Sequence, residues 1–144
     1  MLDTTIIQVI NTMAMTADNR DWQHCQNTFA ENVYVDYTSM AGGEPATILA
    51  DDLIASWKGL LPGFTATQHL IGSHVITVDK DVATCQAHFQ ATHILDDDTW
   101  TLGGKYDFKL AYNHGNWKIT AITMTALWSV GDQARLLQLA AERA

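Results

Sequence analysis

The chain is short of basic residues, cysteines, prolines and long apolar runs, and each shortage excludes a class of function. Eight Lys and Arg stand against sixteen Asp and Glu, a net charge of −8. Such a surface repels phosphate backbones and anionic headgroups, so neither nucleic acid nor a membrane is an expected partner. The two cysteines, Cys25 and Cys85, lie far apart without C-x-x-C spacing, which points to buried reduced thiols and away from a zinc knuckle or redox pair. The segment MLDTTIIQVI has no basic n-region, carries Asp3 and lacks an apolar run of membrane length, so a soluble cytoplasmic protein is expected. Only Pro45 and Pro62 punctuate the chain, and no linker or repeat divides it. Residues 1–144 therefore read as one domain, long enough to bury roughly 70% of its unfolded surface and to enclose a pocket.

What is present divides into a helical first half and a strand-rich second half. Ile6, Ile10, Met13, Ala14 and Ala17 recur at helical spacing behind a cap at Asp3 or Thr4, and Asp18 follows at the edge of that stripe. Asp21 caps a second expected helix with Trp22, Cys25 and Phe29 on one side. VYVDY, Val33 to Tyr37, reads as a short strand. A third helix has Asp51 or Asp52 in its first turn, turns Leu53, Trp57, Leu60 and Leu61 inward, and stops at Pro62 and Gly63. From Thr65 the period becomes two. Ala83, Cys85, Ala87, Phe89, Ala91, His93 and Leu95 share one face of a strand, and Trp100, Leu102, Gly104, Tyr106, Phe108, Leu110 and Tyr112 share one face of the next. Trp117 to Trp128 reads as a last strand covered on both sides, and a closing helix runs from about Asp132 to Glu142. The expected fold class is α+β, with helices packed on a strongly curved antiparallel sheet.

Four of the six histidines fall between Thr65 and Leu95. His93 points inward among alanines, which leave room where a filled core would use larger side chains. Close packing of a helix on the sheet is the competing explanation of those alanines. His69 and His74 are five residues apart, so a regular strand sends them to opposite faces, unless Gly72 marks a bulge that resets the alternation. No metal site is expected from this spacing. His24, His88 and His114 are expected on the surface, and the run Asp96 to Asp98 at a solvated hairpin tip.

The order ADNRDW, VYVDY, WKGLLPGFTATQHLIGSHVI, an inward histidine in the following strand, and LWSVG resembles the SnoaL-like branch of the nuclear transport factor 2 fold superfamily, with scytalone dehydratases nearest in motif order. The resemblance covers about Asp3 to Gly131. It implies a cone in which helices close one end of a curved sheet around a pocket. It also implies that Asp18 and His69 form a proton-abstracting dyad and that Tyr37 polarises a substrate carbonyl through water, and it places His93 within one residue of a second family histidine, a match that needs a one-residue shift in the hairpin. Ala17 and Tyr106 depart from the pattern, standing where the dehydratases carry a tyrosine and an asparagine.

On physical grounds, an aspartate beside a histidine fixes the imidazole tautomer and balances the imidazolium formed on proton abstraction. A tyrosine hydroxyl can stabilise the charge that then develops on a carbonyl oxygen. His93 is the expected donor to a leaving hydroxyl. The expected function is a lyase or isomerase, free of cofactor, acting on a small hydrophobic or aromatic-like cyclic carbonyl compound. Trp57, Phe64, Phe89, Tyr106, Phe108 and Trp128 are the expected walls. Competing expectations are a non-catalytic hydrophobic binding or dimerisation module, and a small oxygenase subunit. A homodimer is expected through the polar outward strand faces.

Overall fold

The computed structural model describes residues 2–144. Helix α1 (Leu2–Asp18) buries the predicted stripe completely: Ile6, Ile10, Met13, Ala14 and Ala17 all lie in the core. It ends in a Schellman turn, in which the Arg20 N–H bonds the Ala17 carbonyl and the Asp21 N–H bonds that of Thr16, with Arg20 left-handed at φ 61°. Asp21 then caps α2 (Trp22–Asn27) by accepting from the His24 N–H. That helix is shorter than expected. Thr28 closes it, its hydroxyl donating to the Cys25 carbonyl at 2.7 Å, and Phe29 opens strand β1 (Phe29–Asp36) instead of ending the helix.

Between β1 and helix α4 (Ala50–Lys58) lie two elements that periodicity did not predict, the one-turn helix α3 (Thr38–Ala41) and strand β2 (Ala46–Leu49). Both are too short to display a period. A 3-10 turn at Leu61–Gly63 leads into the long strands β3 (Ala66–Asp79), β4 (Val82–Leu95), β5 (Asp98–Asn113) and β6 (Asn116–Val130), and α5 (Gln133–Arg143) closes the chain. β4 alternates buried and exposed residues along most of its length, as its sequence predicts.

The six strands form one curved sheet in the order β2-β1-β6-β5-β4-β3. It is mixed and not wholly antiparallel, because β1 lies parallel to β6 while every other pair is antiparallel. The segment from α3 through β5 forms the crossover that parallel pairing requires. Helices α1, α2 and α4 and the tail helix cover the inner face. Two glycines allow the closest approaches of backbone to backbone. A Cβ on Gly63 would sit 1.8 Å from the Ala140 carbonyl oxygen, so that residue seats α5 against the 3-10 turn, and a Cβ on Gly104 would sit 2.1 Å from the Thr125 carbonyl oxygen. Among the described residues no helix is long and apolar enough to cross a membrane.

Candidate active site

The last turn of α1 and the first half of β3 bring Asp18 and His69 together. His69 Nδ1 lies 2.7 Å from Asp18 Oδ1, and the His69 backbone N–H donates to Oδ2 at 2.7 Å. The Thr67 hydroxyl adds a third bond, donating to Oδ1 at 3.0 Å. Burial alone would raise the Asp18 pKa, but the hydrogen bonds and charge of His69, with the bond from Thr67, outweigh it and hold the carboxyl below its ordinary value. An ionised Asp18 accepts, so His69 Nδ1 donates to it, and in the neutral imidazole Nε2 is the free acceptor.

His93 projects from β4 beside this pair, its ring 5.9 Å from that of His69 in an edge-on arrangement. It is 5% exposed, stacked on Trp100 at 4.0 Å and tilted against Phe64 at 5.0 Å. Nδ1 lies 3.1 Å from the Trp100 carbonyl, which can only accept, so this nitrogen too carries the proton. Burial, then repulsion from His69, push the His93 pKa down to about 4. His93 is therefore neutral at pH 7 and presents a bare Nε2. A neutral imidazole whose Nδ1 proton is committed to a carbonyl is a poor donor, which weighs against the expected role of His93 in protonating a leaving hydroxyl.

Tyr37 and Tyr106 form the other polar group of the cavity, and their hydroxyls interact. Burial raises both phenol pKa values above the ordinary range, so both remain protonated donors at any physiological pH. Tyr37 is not the last residue of a strand. It caps the one-turn helix α3, and that places its ring at the cavity.

The cavity these groups share has a volume of about 270 Å³, just below the usual range for small-molecule sites, which suits a small ligand. Asp18 supports it from behind His69, and apart from Ser56, whose hydroxyl donates to the Leu53 carbonyl, the remaining walls are apolar: Met13, Met40, Leu60, Leu102, Met124 and, from α5, Leu137 are among them. Of the six expected wall residues, only Trp57 and Tyr106 line it. Phe64, Phe89 and Phe108 sit behind the wall, Phe64 against His93 and the other two against Tyr106, with ring separations of 4.3 Å for Phe89 and 5.2 Å for Phe108. Trp128 is displaced to the outer face and is 44% exposed. The β5–β6 register slips between Gly103 and Gly104, leaving Leu127 unpaired, and the Trp128 ring lies over Gly103. Trp100, placed inward by its sequence but not assigned to the wall, does line the cavity, as does Ala91, so one of the alanines beside His93 leaves room.

A bulge also alters the histidine argument. The β3–β4 register shifts between Gly72 and Val75, with Ser73 left-handed at φ 56°, so two residues oppose Ala87 and the alternation resets. His74 consequently shares the inner side with His69 instead of facing away. It does not reach the cavity, and its Nε2 is buried without a hydrogen-bond partner among the described residues. His24, His88 and His114 are exposed, as expected. Two residues of the site carried no signal in the sequence reading. Arg20 donates to the Thr67 hydroxyl and to the Leu61 carbonyl, and Thr67 connects it to Asp18.

Comparison with known proteins gives the chain a family. Residues 2–123 match the SnoaL-like domain. The chain belongs to the SnoaL-like family. Its fold is the nuclear transport factor 2-like, cystatin-like cone that the resemblance implied. The dehydratase cfoI of Aspergillus candidus is 27% identical over 149 residues, which cover 91% of this chain and 86% of that protein. The crystal structure of Kfla4162 from Kribbella flavida superposes with a TM-score of 0.88 at 28% identity, covering 94% of this SnoaL-like chain and 96% of the other. A candidate scytalone dehydratase from Novosphingobium aromaticivorans superposes with a TM-score of 0.78 at 18% identity over 90% and 87% of the two chains, a likeness of fold.

Proposed function

We propose that this SnoaL-like protein is a lyase of the dehydratase type that removes water from a small cyclic or aromatic-like carbonyl compound, using only its own side chains. The observation that carries the reading is the 2.7 Å contact of His69 Nδ1 with a carboxylate, which in the neutral imidazole makes Nε2 the free base at the cavity. His69 Nε2 takes the proton α to the carbonyl, and Asp18 balances the imidazolium that results. Tyr37, supported by Tyr106, donates to the carbonyl oxygen as negative charge develops there. The C–O bond to the β-hydroxyl then breaks, a C=C bond forms, and the proton held on His69 passes to the departing hydroxyl, which leaves as water. His93 Nε2 accepts the O–H of that hydroxyl and orients it toward His69. The named relationship to a dehydratase supports this choice over isomerisation.

The apolar walls are equally suited to a non-catalytic carrier of a hydrophobic metabolite, but a carrier has no use for a charged dyad, whose burial carries a desolvation cost. Pairing of two copies through the outer sheet face, where Leu70, Val75 and Trp128 are exposed, belongs to the same proposal, as does a cytoplasmic location. Light scattering on the purified chain tests the pairing. The dehydration is tested with a panel of β-hydroxy cyclic ketones, following the enone absorbance for the parent, Asp18→Asn and His69→Gln. The proposal expects enone formation with the parent and a loss of 100-fold or more in both variants. Equal rates in all three contradict it.

A further inference from the structure

The end of α1 contains a local conflict that calls for an explanation. The left-handed position of a Schellman turn favours glycine, because a Cβ there is crowded against the following carbonyl. Here it is occupied by Arg20 at φ 61°. A residue held in an unfavourable backbone region points to a side chain needed at that spot. The Arg20 guanidinium is engaged through both terminal nitrogens. Nη1 donates to the Ala17 and Asp18 carbonyls at 3.2 Å and to Thr67 Oγ1 at 2.9 Å, and Nη2 donates to the Leu61 carbonyl at 2.7 Å.

The bond to Thr67 matters most. A threonine hydroxyl has one proton and can both donate and accept, whereas a guanidinium only donates. Thr67 Oγ1 lies 2.9 Å from Arg20 Nη1 and 3.0 Å from Asp18 Oδ1. By occupying the acceptor side of the hydroxyl, Arg20 leaves its proton one partner, the carboxylate. Asp18 Oδ1 is then held by two donors and Oδ2 by the His69 backbone, so the carboxylate cannot rotate away from the imidazole.

We infer that Arg20 and Thr67 are positioning residues for the dyad, Arg20 orienting the Thr67 hydroxyl and the hydroxyl fixing the Asp18 carboxylate against His69 Nδ1. Neither side chain lines the cavity. The inference rests on the reading of Asp18 and His69 as the working pair. The titratable groups that act on Asp18 or feel its charge are His69, His93 and Arg20, with the thiol of Cys25 and the phenol of Tyr106 farther off.

The test requires no substrate. Titration of the Asp18 side-chain carboxyl by carbon-13 NMR is compared in the parent, Thr67→Val, Thr67→Ser, Arg20→Gly and the double variant Arg20→Gly/Thr67→Val. Thr67→Val removes the hydroxyl at constant shape, and Arg20→Gly relieves the backbone conflict, so both fold. A hydrogen bond to a charged group corresponds to a midpoint change of about one pH unit. Thr67→Val is expected to raise the Asp18 midpoint by about that amount, and Thr67→Ser to restore it. Arg20→Gly is expected to raise the midpoint in the threonine background and to have little further effect once Thr67 is valine. Equal effects of Arg20→Gly in both backgrounds would mean that its charge acts through space, and an unmoved midpoint in Thr67→Val would mean that the hydroxyl does not hold the carboxylate. Either result overturns the inference. A carboxylate that responds as expected in a protein without enone-forming activity would sink the proposed function and leave the positioning intact.

Discussion

The neutrality of His93 can be tested through the pH dependence of folding. Its pKa in the folded chain is about 4, against an ordinary value of 6.5, because it is buried between Trp100 and Phe64 and repelled by His69. Between those two values the unfolded chain binds a proton that the folded chain does not. The slope of unfolding free energy with pH is then positive, so the stabilising effect of a neutral His93 is complete above pH 6.5 and disappears as pH falls toward 4. The difference corresponds to about 3 kcal/mol. Asp18 has the opposite origin but the same direction: its lowered pKa stabilises the fold above the ordinary carboxylate value and is lost only as pH falls below about 3.8, so the two contributions occupy separate windows. Burial also lowers the pKa of His74, which adds to the His93 window. Urea unfolding between pH 7 and 4.2 for the parent and His93→Asn isolates the His93 part, because the asparagine amide can keep a donor toward the Trp100 carbonyl and does not titrate. The parent is expected to lose about 3 kcal/mol more than the variant across that range. Parallel curves would refute the reasoning.

Three further outcomes are expected. Tyr37→Phe should lower kcat for enone formation by about 100-fold with little change in KM, since a donor aimed at developing charge acts mainly in the transition state; an unchanged kcat would remove Tyr37 from the site. Trp128→Ser should leave that rate within about twofold, because the ring lies on the outer face over Gly103, and a large loss would place the reaction elsewhere. Gly63→Ala forces a methyl into the Ala140 backbone, which cannot rotate aside, so thermal unfolding should fall by roughly 10 °C for a cost of about 3 kcal/mol.

The sequence revealed most where a period ran long enough to be read. The α1 stripe and the alternation of β4 are direct records of which side is buried, and the structure follows both. The meeting of Asp18 with His69 came from motif order, since the two are 51 residues apart and no local pattern joins them. Errors collected at register slips. At Ser73 and at Leu127 one additional residue exchanges the faces of the strand, and that misplaced His74 and Trp128. Phe89 and Phe108 were assigned to the correct side of the sheet but to the wrong depth, because inward orientation does not distinguish a cavity wall from the layer behind it, and Phe64, at the end of the 3-10 turn, lies in that same second layer. The parallel pairing of β1 with β6 is set by the return of the chain across the whole sheet and has no local signature. Arg20 and Thr67 act through hydrogen bonds that only the turn geometry creates.

Solvent deuterium exchange reads proton abstraction alone, independent of what leaves afterwards. Cyclic ketones incubated with the parent, Asp18→Asn and His69→Ala in deuterium oxide separate the dyad from background enolisation. The account predicts deuterium at the α-carbon with the parent and a rate at the uncatalysed level with both variants. The same rate in all three samples would contradict it.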